Sequence, residues 1–204
     1  VIPVGLDAYR MWERWPYRRV GEHAYMRGTY DRHGGNHRAD ASHFLYQLQN
    51  NDWNTTLDVE GSGILYFVRH NFSHGQPWHY EVDGVDRVVS AVNDWFSPSS
   101  LFRPPLAFNH FHTKGAWLNC LPIGFENRFR MAYTHTVFGT GYYIYKHYVP
   151  GAQLSAPIRA WDFQTPPAPD VPDLLSRFGT HIAPRPGTPE GDALVLAGSL
   201  HAGA

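Results

Sequence analysis

The segment Thr29-Tyr30-Asp31-Arg32-His33-Gly34-Gly35-Asn36 sets an acid, a fixed cation and an amide around a pair of glycines. Gly34 and Gly35 permit backbone angles that other residues resist, so the chain can turn sharply and bring Asp31, Arg32 and Asn36 toward one point. Together they offer a two-oxygen acceptor, a five-donor fork and an amide that both gives and accepts, a set suited to the closely spaced hydroxyls of a sugar. The same residue types also build a solvated turn that Asp31 and Asn36 stabilise by bonding their own backbone. Local chemistry leaves both readings open.

Other chemistries find weaker support. The chain has 13 histidines, and His110-Phe111-His112 read as an extended segment puts two imidazoles on one face, as a metal site in a cupin-like barrel begins. That pattern wants an acid in the same strand, whereas the next one is Glu126. His33, His37 and His43 flank the glycine pair without a helical spacing that would align them, so hydrogen bonding or stacking fits them better than ligation. Glycoside hydrolysis needs two carboxyls about 5 Å apart for retention or roughly 6.5–9.5 Å apart for inversion. Glu13, Glu60, Glu81, Glu126 and Glu190 all stand outside any motif that marks a nucleophile or acid. There is no Gly-x-Ser-x-Gly elbow, phosphate-binding loop or dinucleotide fingerprint. No metal ligand set and no cofactor are expected.

The elements that would carry the loop read as β-structure. Asp7 reads as the cap of a short helix whose Tyr9, Trp12 and Trp15 point inward before Pro16 ends it. Thr55 to Glu60 alternates, placing Leu57 and Val59 on one face. Ile64 to Val68 is continuously apolar and suits a central strand. Trp78, Tyr80 and Val82 alternate with His79 and Glu81, and Asp83-Gly84 predicts a tight hairpin into Val85 to Val92. Phe129, Met131, Tyr133, His135 and Val137 share a face of a long strand, and Gly139-Thr140-Gly141 reads as the turn of a second hairpin returning through Tyr142 to Val149. Pro104-Pro105 and the run from Pro157 to Pro172 mark long connections. These elements predict an all-β jelly-roll sandwich over residues 1–183, with 184–204 a tail or the start of a further strand.

Composition narrows the partners. Charged residues make up only 17% of the chain, with 17 Lys and Arg against 18 Asp and Glu. Nucleic acid is therefore not an expected partner, and low charge predicts that part of the surface is interface. No apolar run reaches the roughly 20 residues of a membrane span. The single Cys120 reads as a core residue without a disulfide. Seven Trp, 12 Tyr and 12 Phe supply anchors for a core, and Trp53, Trp78, Trp95 and Trp117 are candidate stacking faces for a sugar ring. A start at Val1 is consistent with loss of an export signal, so an extracellular or periplasmic location is expected.

Several segments together resemble one family. Residues Thr29 to Asn36 are similar to its N-terminal S-Y-D-R-T-G-G-N segment, and Val59-Glu60-Gly61-Ser62-Gly63-Ile64-Leu65 resembles its next strand. Tyr80-Glu81-Val82-Asp83-Gly84 resembles its hairpin, Leu121-Pro122-Ile123-Gly124-Phe125 its Leu-Pro-Ile-Pro-Phe strand, and Tyr142-Tyr143 its paired-tyrosine strand. The family is glycoside hydrolase family 172, formerly a domain of unknown function, whose members include α-D-fructofuranosidases, difructose-dianhydride synthase/hydrolases and D-arabinofuranosidases. The resemblance runs from about Leu6 to Val149. It implies a protomer of two tandem jelly rolls, an oligomer, and a retaining mechanism with two glutamates from the second jelly roll. The two glutamate motifs of that half are absent here, and Glu190-Gly191-Asp192 has only a superficial likeness to one of them. Asp31, Arg32 and Asn36 match positions expected to face a furanoside, while Asn36-His37-Arg38 replaces the family's Asn-Asp-Asp and shifts the local charge. The chain is thus expected to be the first jelly roll of a furanosidase-like assembly, without catalytic residues of its own. A second jelly-roll chain is the partner expected in that reading, and the other reading is a non-catalytic structural or carbohydrate-binding sandwich that assembles with itself into an extracellular oligomer or filament.

Overall fold

The computed structural model describes residues 1–47, 53–71, 78–89, 101–133 and 139–180. The expectations for His135, Val137, Trp95, residues 90–92, Glu190 and the 184–204 tail lie outside them.

The chain opens with one helical turn, α1 (Asp7–Arg10), followed by a 3-10 turn at Trp12–Arg14. Asp7 does not cap this helix; it is its first residue and pairs at 2.9 Å with Arg10 one turn on. Arg10 also donates to both carboxylate oxygens of Asp170, at 2.5 and 2.9 Å, tying α1 to a later short helix. Tyr9 points inward as expected, its hydroxyl donating to the Cys120 carbonyl at 2.5 Å. Trp12 and Trp15 do not, being 44% and 48% exposed. With only one turn of α-helix before Pro16, the periodicity that would have faced them inward has no length over which to act, and the Trp15 indole N–H instead donates to the Ala8 carbonyl at 2.8 Å.

Among the described residues eleven strands follow in chain order: β1 (Glu22–Gly28), β2 (Tyr46–Gln47), β3 (Asn54–Glu60), β4 (Gly63–Asn71), β5 (Trp78–Val82), β6 (Val85–Val89), β7 (Ala107–Phe108), β8 (Trp117–Asn119), β9 (Ile123–Phe125), β10 (Arg128–Tyr133) and β11 (Thr140–Tyr148). Two short helices accompany them among the same residues, α2 (His110–Thr113) and α3 (Asp170–Leu175). The first sheet runs β1-β11-β4-β8-β7 with β9 also on β4, and the second runs β2-β3-β10-β5-β6. All the strand pairings are antiparallel. The protein is an all-β sandwich of two such sheets, and one set of pairs is nested, β1 with β11, β3 with β10, β4 with β8 and β9, and β5 with β6, while β11 also pairs with β4 and β10 with β5.

Alternation decides which side chains meet between the sheets. Leu57, Val59, Tyr80, Val82, Phe129 and Met131 from the second sheet pack against Leu65, Val68, Ile123, Phe125, Tyr143 and Tyr145 from the first. Trp78 is buried among them and stays a core residue, leaving no face for a ligand. Inside this core the Tyr143 hydroxyl lies 2.6 Å from Thr56 Oγ1, so neither polar group is left unpaired. β4 is central, as its continuous apolar run predicts. β8 and β9 behave as one strand along β4 that is interrupted at Leu121-Pro122, where proline has no N–H to give the ladder.

The Asp83-Gly84 hairpin forms as expected, with φ of 50° and 82° at the two turn residues. The second expected hairpin does not. β10 and β11 lie in different sheets, and Gly139 and Gly141 are glycines for a different reason from turn-making. A Cβ on Gly139 would collide with the Tyr133 hydroxyl, and one on Gly141 with the Tyr143 hydroxyl. Both glycines instead lie beside residues 29–42. There the Gly141 N–H donates to Thr29 Oγ1 at 3.0 Å and Ser42 N–H to the Gly139 carbonyl at 2.8 Å.

The outer face of the first sheet is partly covered. Ile2 and Val4 pack on Ile64 together with Leu154 and Ile158, and the Ile2 N–H donates to the Gln153 carbonyl at 2.6 Å. Beyond Pro157 the proline-rich run passes β9, with Trp161 N–H donating to the Gly124 carbonyl at 3.0 Å, and its Trp161 and Phe163 rings pack against the main core. Cys120 is half-buried. Among the described residues no helix is long and apolar enough to cross a membrane.

Candidate functional site

The glycine loop leaves the end of β1 and returns to the second sheet at β2. Asp31 is buried and spends its carboxylate on the loop itself: Oδ1 accepts the His33 N–H at 2.9 Å and Oδ2 the His37 N–H at 3.1 Å. These bonds, His37 first and then His33, hold its carboxyl below the usual range. Gly34 supplies a φ of 78°, and a Cβ on Gly35 would stand 3.0 Å from Asp31 Oδ2, which explains why both positions are glycine.

Arg32 is exposed and held flat. Its two terminal nitrogens donate to the His43 carbonyl at 2.8 Å and the Gly28 carbonyl at 3.0 Å, while the guanidinium carbon lies 5.2 Å from the Tyr30 ring centre. Asn36 is exposed with φ 50° at the start of a 3-10 turn (His37–Asp40), which its side chain does not cap. His37 and His43 meet edge to face at 5.7 Å, and His43 Nε2 lies 3.0 Å from the His37 carbonyl. The three residues singled out in the sequence are therefore divided in role. Asp31 is the loop's internal acceptor, and Arg32 and Asn36 form its outward surface.

A second constellation lies on the outer face of the second sheet. The β3, β10 and β5 registers place Thr55, Ala132 and His79 side by side, and the next outward row holds Asp58, Arg130, Glu81 and Asp86. Ala132 and Thr55 are small, so the sheet is hollow between taller neighbours, leaving a cavity of about 270 Å³ lined also by Trp53, His79, Glu81, Asp86 and Arg130. The Trp53 and His79 rings lie 3.7 Å apart. His79 Nδ1 is 2.8 Å from Asp86 Oδ2, which favours the Nδ1–H tautomer and leaves Nε2 as an acceptor. Arg130 forms an ion pair with Glu81.

Sequence reading had part of this cleft. The alternation around Trp78 put His79 and Glu81 on the outward face, and a two-residue turn at Asp83-Gly84 necessarily sets Asp86 opposite Glu81. What it lacked was the pairing of β10 between β3 and β5, which brings Ala132, Arg130 and Thr55 to the same place.

Several of the remaining candidates have structural partners. His110-Phe111-His112 is helical rather than extended, so its two imidazoles do not share a face. Asn109 caps that turn from Oδ1, which lies 2.7 Å from His112 Nδ1, and the His110 ring packs 4.8 Å from Trp117. Among the described residues no three His, Cys, Asp or Glu side chains converge into a metal-holding group. Glu22 is nearly enclosed and pairs with Lys146 at 3.0 Å. Glu126 is 3.5 Å from Arg159, and Glu60 is exposed at the end of β3.

No family profile matches the chain, and no curated protein matches it in sequence. Fold and geometry define an antiparallel β-sandwich with a pinned polar loop at one end and a polar-aromatic cleft on one sheet.

Proposed function

We propose that the chain is the first jelly roll of a furanosidase-like glycoside hydrolase, recognising sugar while another segment or chain supplies the catalytic glutamates. The observation that carries this is the meeting of the segments resembling family 172. Gly63, Ile64 and Leu65 pair with Phe125, Gly124 and Ile123, and Gly28, at the root of the glycine loop, pairs with Tyr142. Pieces far apart in sequence become neighbours in one sheet, as parts of one inherited scaffold should. The nesting of β5–β6 within β4–β8, of that within β3–β10 and of that within β1–β11 supports a jelly-roll wrap. In this reading Arg32 and Asn36 orient a furanoside from the loop that Asp31 stiffens, and displacement and proton transfer belong to the glutamates of that other segment or chain.

A second reading, a non-catalytic extracellular subunit that assembles with copies of itself, is favoured by one observation. Met26, Ile144 and Phe67 share a row on the outer face of the first sheet, with Met26 57% exposed. The mass of the natural material, native and denatured, separates the two. A denatured mass well above that of these 204 residues, or a second co-purifying chain, together with furanoside hydrolysis that Arg32→Ala depresses, supports the first reading. A sole component of this length that assembles with itself and hydrolyses no furanoside establishes the second.

A further inference from the structure

We propose that the cleft on the outer face of the second sheet is a carbohydrate site in its own right, separate from the glycine loop, taking a single neutral sugar unit. The ligand class follows from the lining. An anion would face the carboxylates of Glu81 and Asp86, and a cation would face Arg130. An aliphatic ligand would strip water from the Arg130–Glu81 ion pair and the Asp86 carboxylate and offer nothing in exchange. A neutral polyhydroxyl ring does neither. Its C–H face packs on Trp53, and its hydroxyls can donate to His79 Nε2 and the two carboxylates while accepting from Arg130.

Size agrees with one ring rather than a chain. The cleft of about 270 Å³ falls just below the roughly 300–1,000 Å³ of drug-sized pockets. The polar groups are also positioned before any ligand arrives. Asp86 holds the His79 ring and Glu81 holds the Arg130 fork, so binding orders few side chains. Tyr46 pairs with Thr55 in register and is 55% exposed, extending the outward row with a second aromatic ring at the sheet edge. The inference draws its ligand class from this lining, and it stands or falls separately from the furanosidase reading.

The test is a titration of the full chain with neutral monosaccharides and their methyl glycosides, followed by the indole and imidazole NMR signals of Trp53 and His79. The expected result is saturable movement of both signals by at least one sugar, weakened roughly tenfold or more by Trp53→Ala, as for a buried aromatic anchor, and unchanged by Arg32→Ala. Ala132→Leu fills the floor without removing any ligand-binding group and is expected to abolish binding with the fold intact, which keeps the test decisive if Trp53→Ala does not fold. Signals that no sugar moves at millimolar concentration overturn the proposal, and so does binding that survives Ala132→Leu. Binding lost in Arg32→Ala but kept in Trp53→Ala assigns the sugar to the glycine loop and likewise overturns it, leaving the furanosidase reading standing.

Discussion

Asp83 joins two turns that are remote in sequence, and removing it should cost more than its position in a surface hairpin suggests. Its Oδ1 accepts the N–H groups of Asn127 and Arg128 at 2.6 and 2.8 Å, and its Oδ2 accepts the N–H of Glu126 at 2.8 Å. The residue also has a φ of 50°, which Asp tolerates and Ala resists. Three bonds shared by one carboxylate in a partly exposed position contribute about 1–2 kcal/mol together, because water replaces some of what is lost. The left-handed backbone adds about 1 kcal/mol for Ala. Asp83→Ala should therefore destabilise by roughly 2–3 kcal/mol, or about 5–10 °C in Tm for a chain of this size. Asp83→Asn keeps the backbone preference and one acceptor oxygen, so its loss should be about 1 kcal/mol. Acid offers an internal control. Burial raises the Asp83 pKa, but the three N–H bonds outweigh it and leave the carboxyl below its ordinary range. A depressed folded pKa means that the stabilisation is complete above the unfolded value near 3.9 and disappears as pH falls through the folded one. The gap between wild type and Asp83→Asn should therefore close on acidification below about pH 4. Chemical denaturation of the three proteins across pH measures this directly. An Asp83→Ala protein within about 0.5 kcal/mol of wild type, well inside the value of one charged hydrogen bond, would refute the reasoning, as would an Asn variant equal to the Ala variant.

Two further outcomes follow from other buried groups. His70 is fully enclosed between Trp78 and Trp117, and burial pushes its pKa down to about 3. An unfolded histidine takes up its proton near 6.5, so stability should decline as pH falls from about 6.5 toward 3, and His70→Leu should flatten that slope; a slope unchanged by the substitution would assign it to other groups. Asp31→Ala should speed amide exchange at His33 and His37, whose N–H groups lose their acceptor, and lower the melting temperature. Exchange indistinguishable from wild type would mean that the loop holds its shape without the carboxylate.

The sequence was informative where one face of a strand decides everything. The alternation at Trp78, Tyr80 and Val82, the apolar run of β4 and the Asp83-Gly84 turn are local patterns with a single packing solution, and each is where it was expected. Failures came where a local pattern had two solutions. Glycines at 139 and 141 serve a turn or a close approach equally well, and only the positions of Tyr133 and Tyr143 decide between them. Two histidines spaced by one residue suit a strand as well as a loop, and at His110-Phe111-His112 the Asn109 side chain, accepting from the N–H groups of Phe111 and His112, starts a helix instead. Asp31 was legible as a polar centre, but the amides of His33 and His37 claim its oxygens, and that depends on how the loop closes. The cleft was half visible, since β5 and β6 are a hairpin while β3 and β10 meet through pairing between residues far apart in the chain.

The pairing of β1 with β11 has a consequence for synthesis. Gly28 leaves the ribosome long before Tyr142, so the N-terminal strand emerges with its Tyr25 and Met26 side chains and must wait for its partner, and β4 waits with it. The β5–β6 hairpin closes on itself meanwhile. Loop closure over so long a span makes such pairing slow, and until β11 emerges the first sheet exists as two apolar edges without a strand between them. A nascent chain in that state is a natural client for holding chaperones, and translation halted before Thr140 should yield an insoluble product even though most of the core residues have already been made.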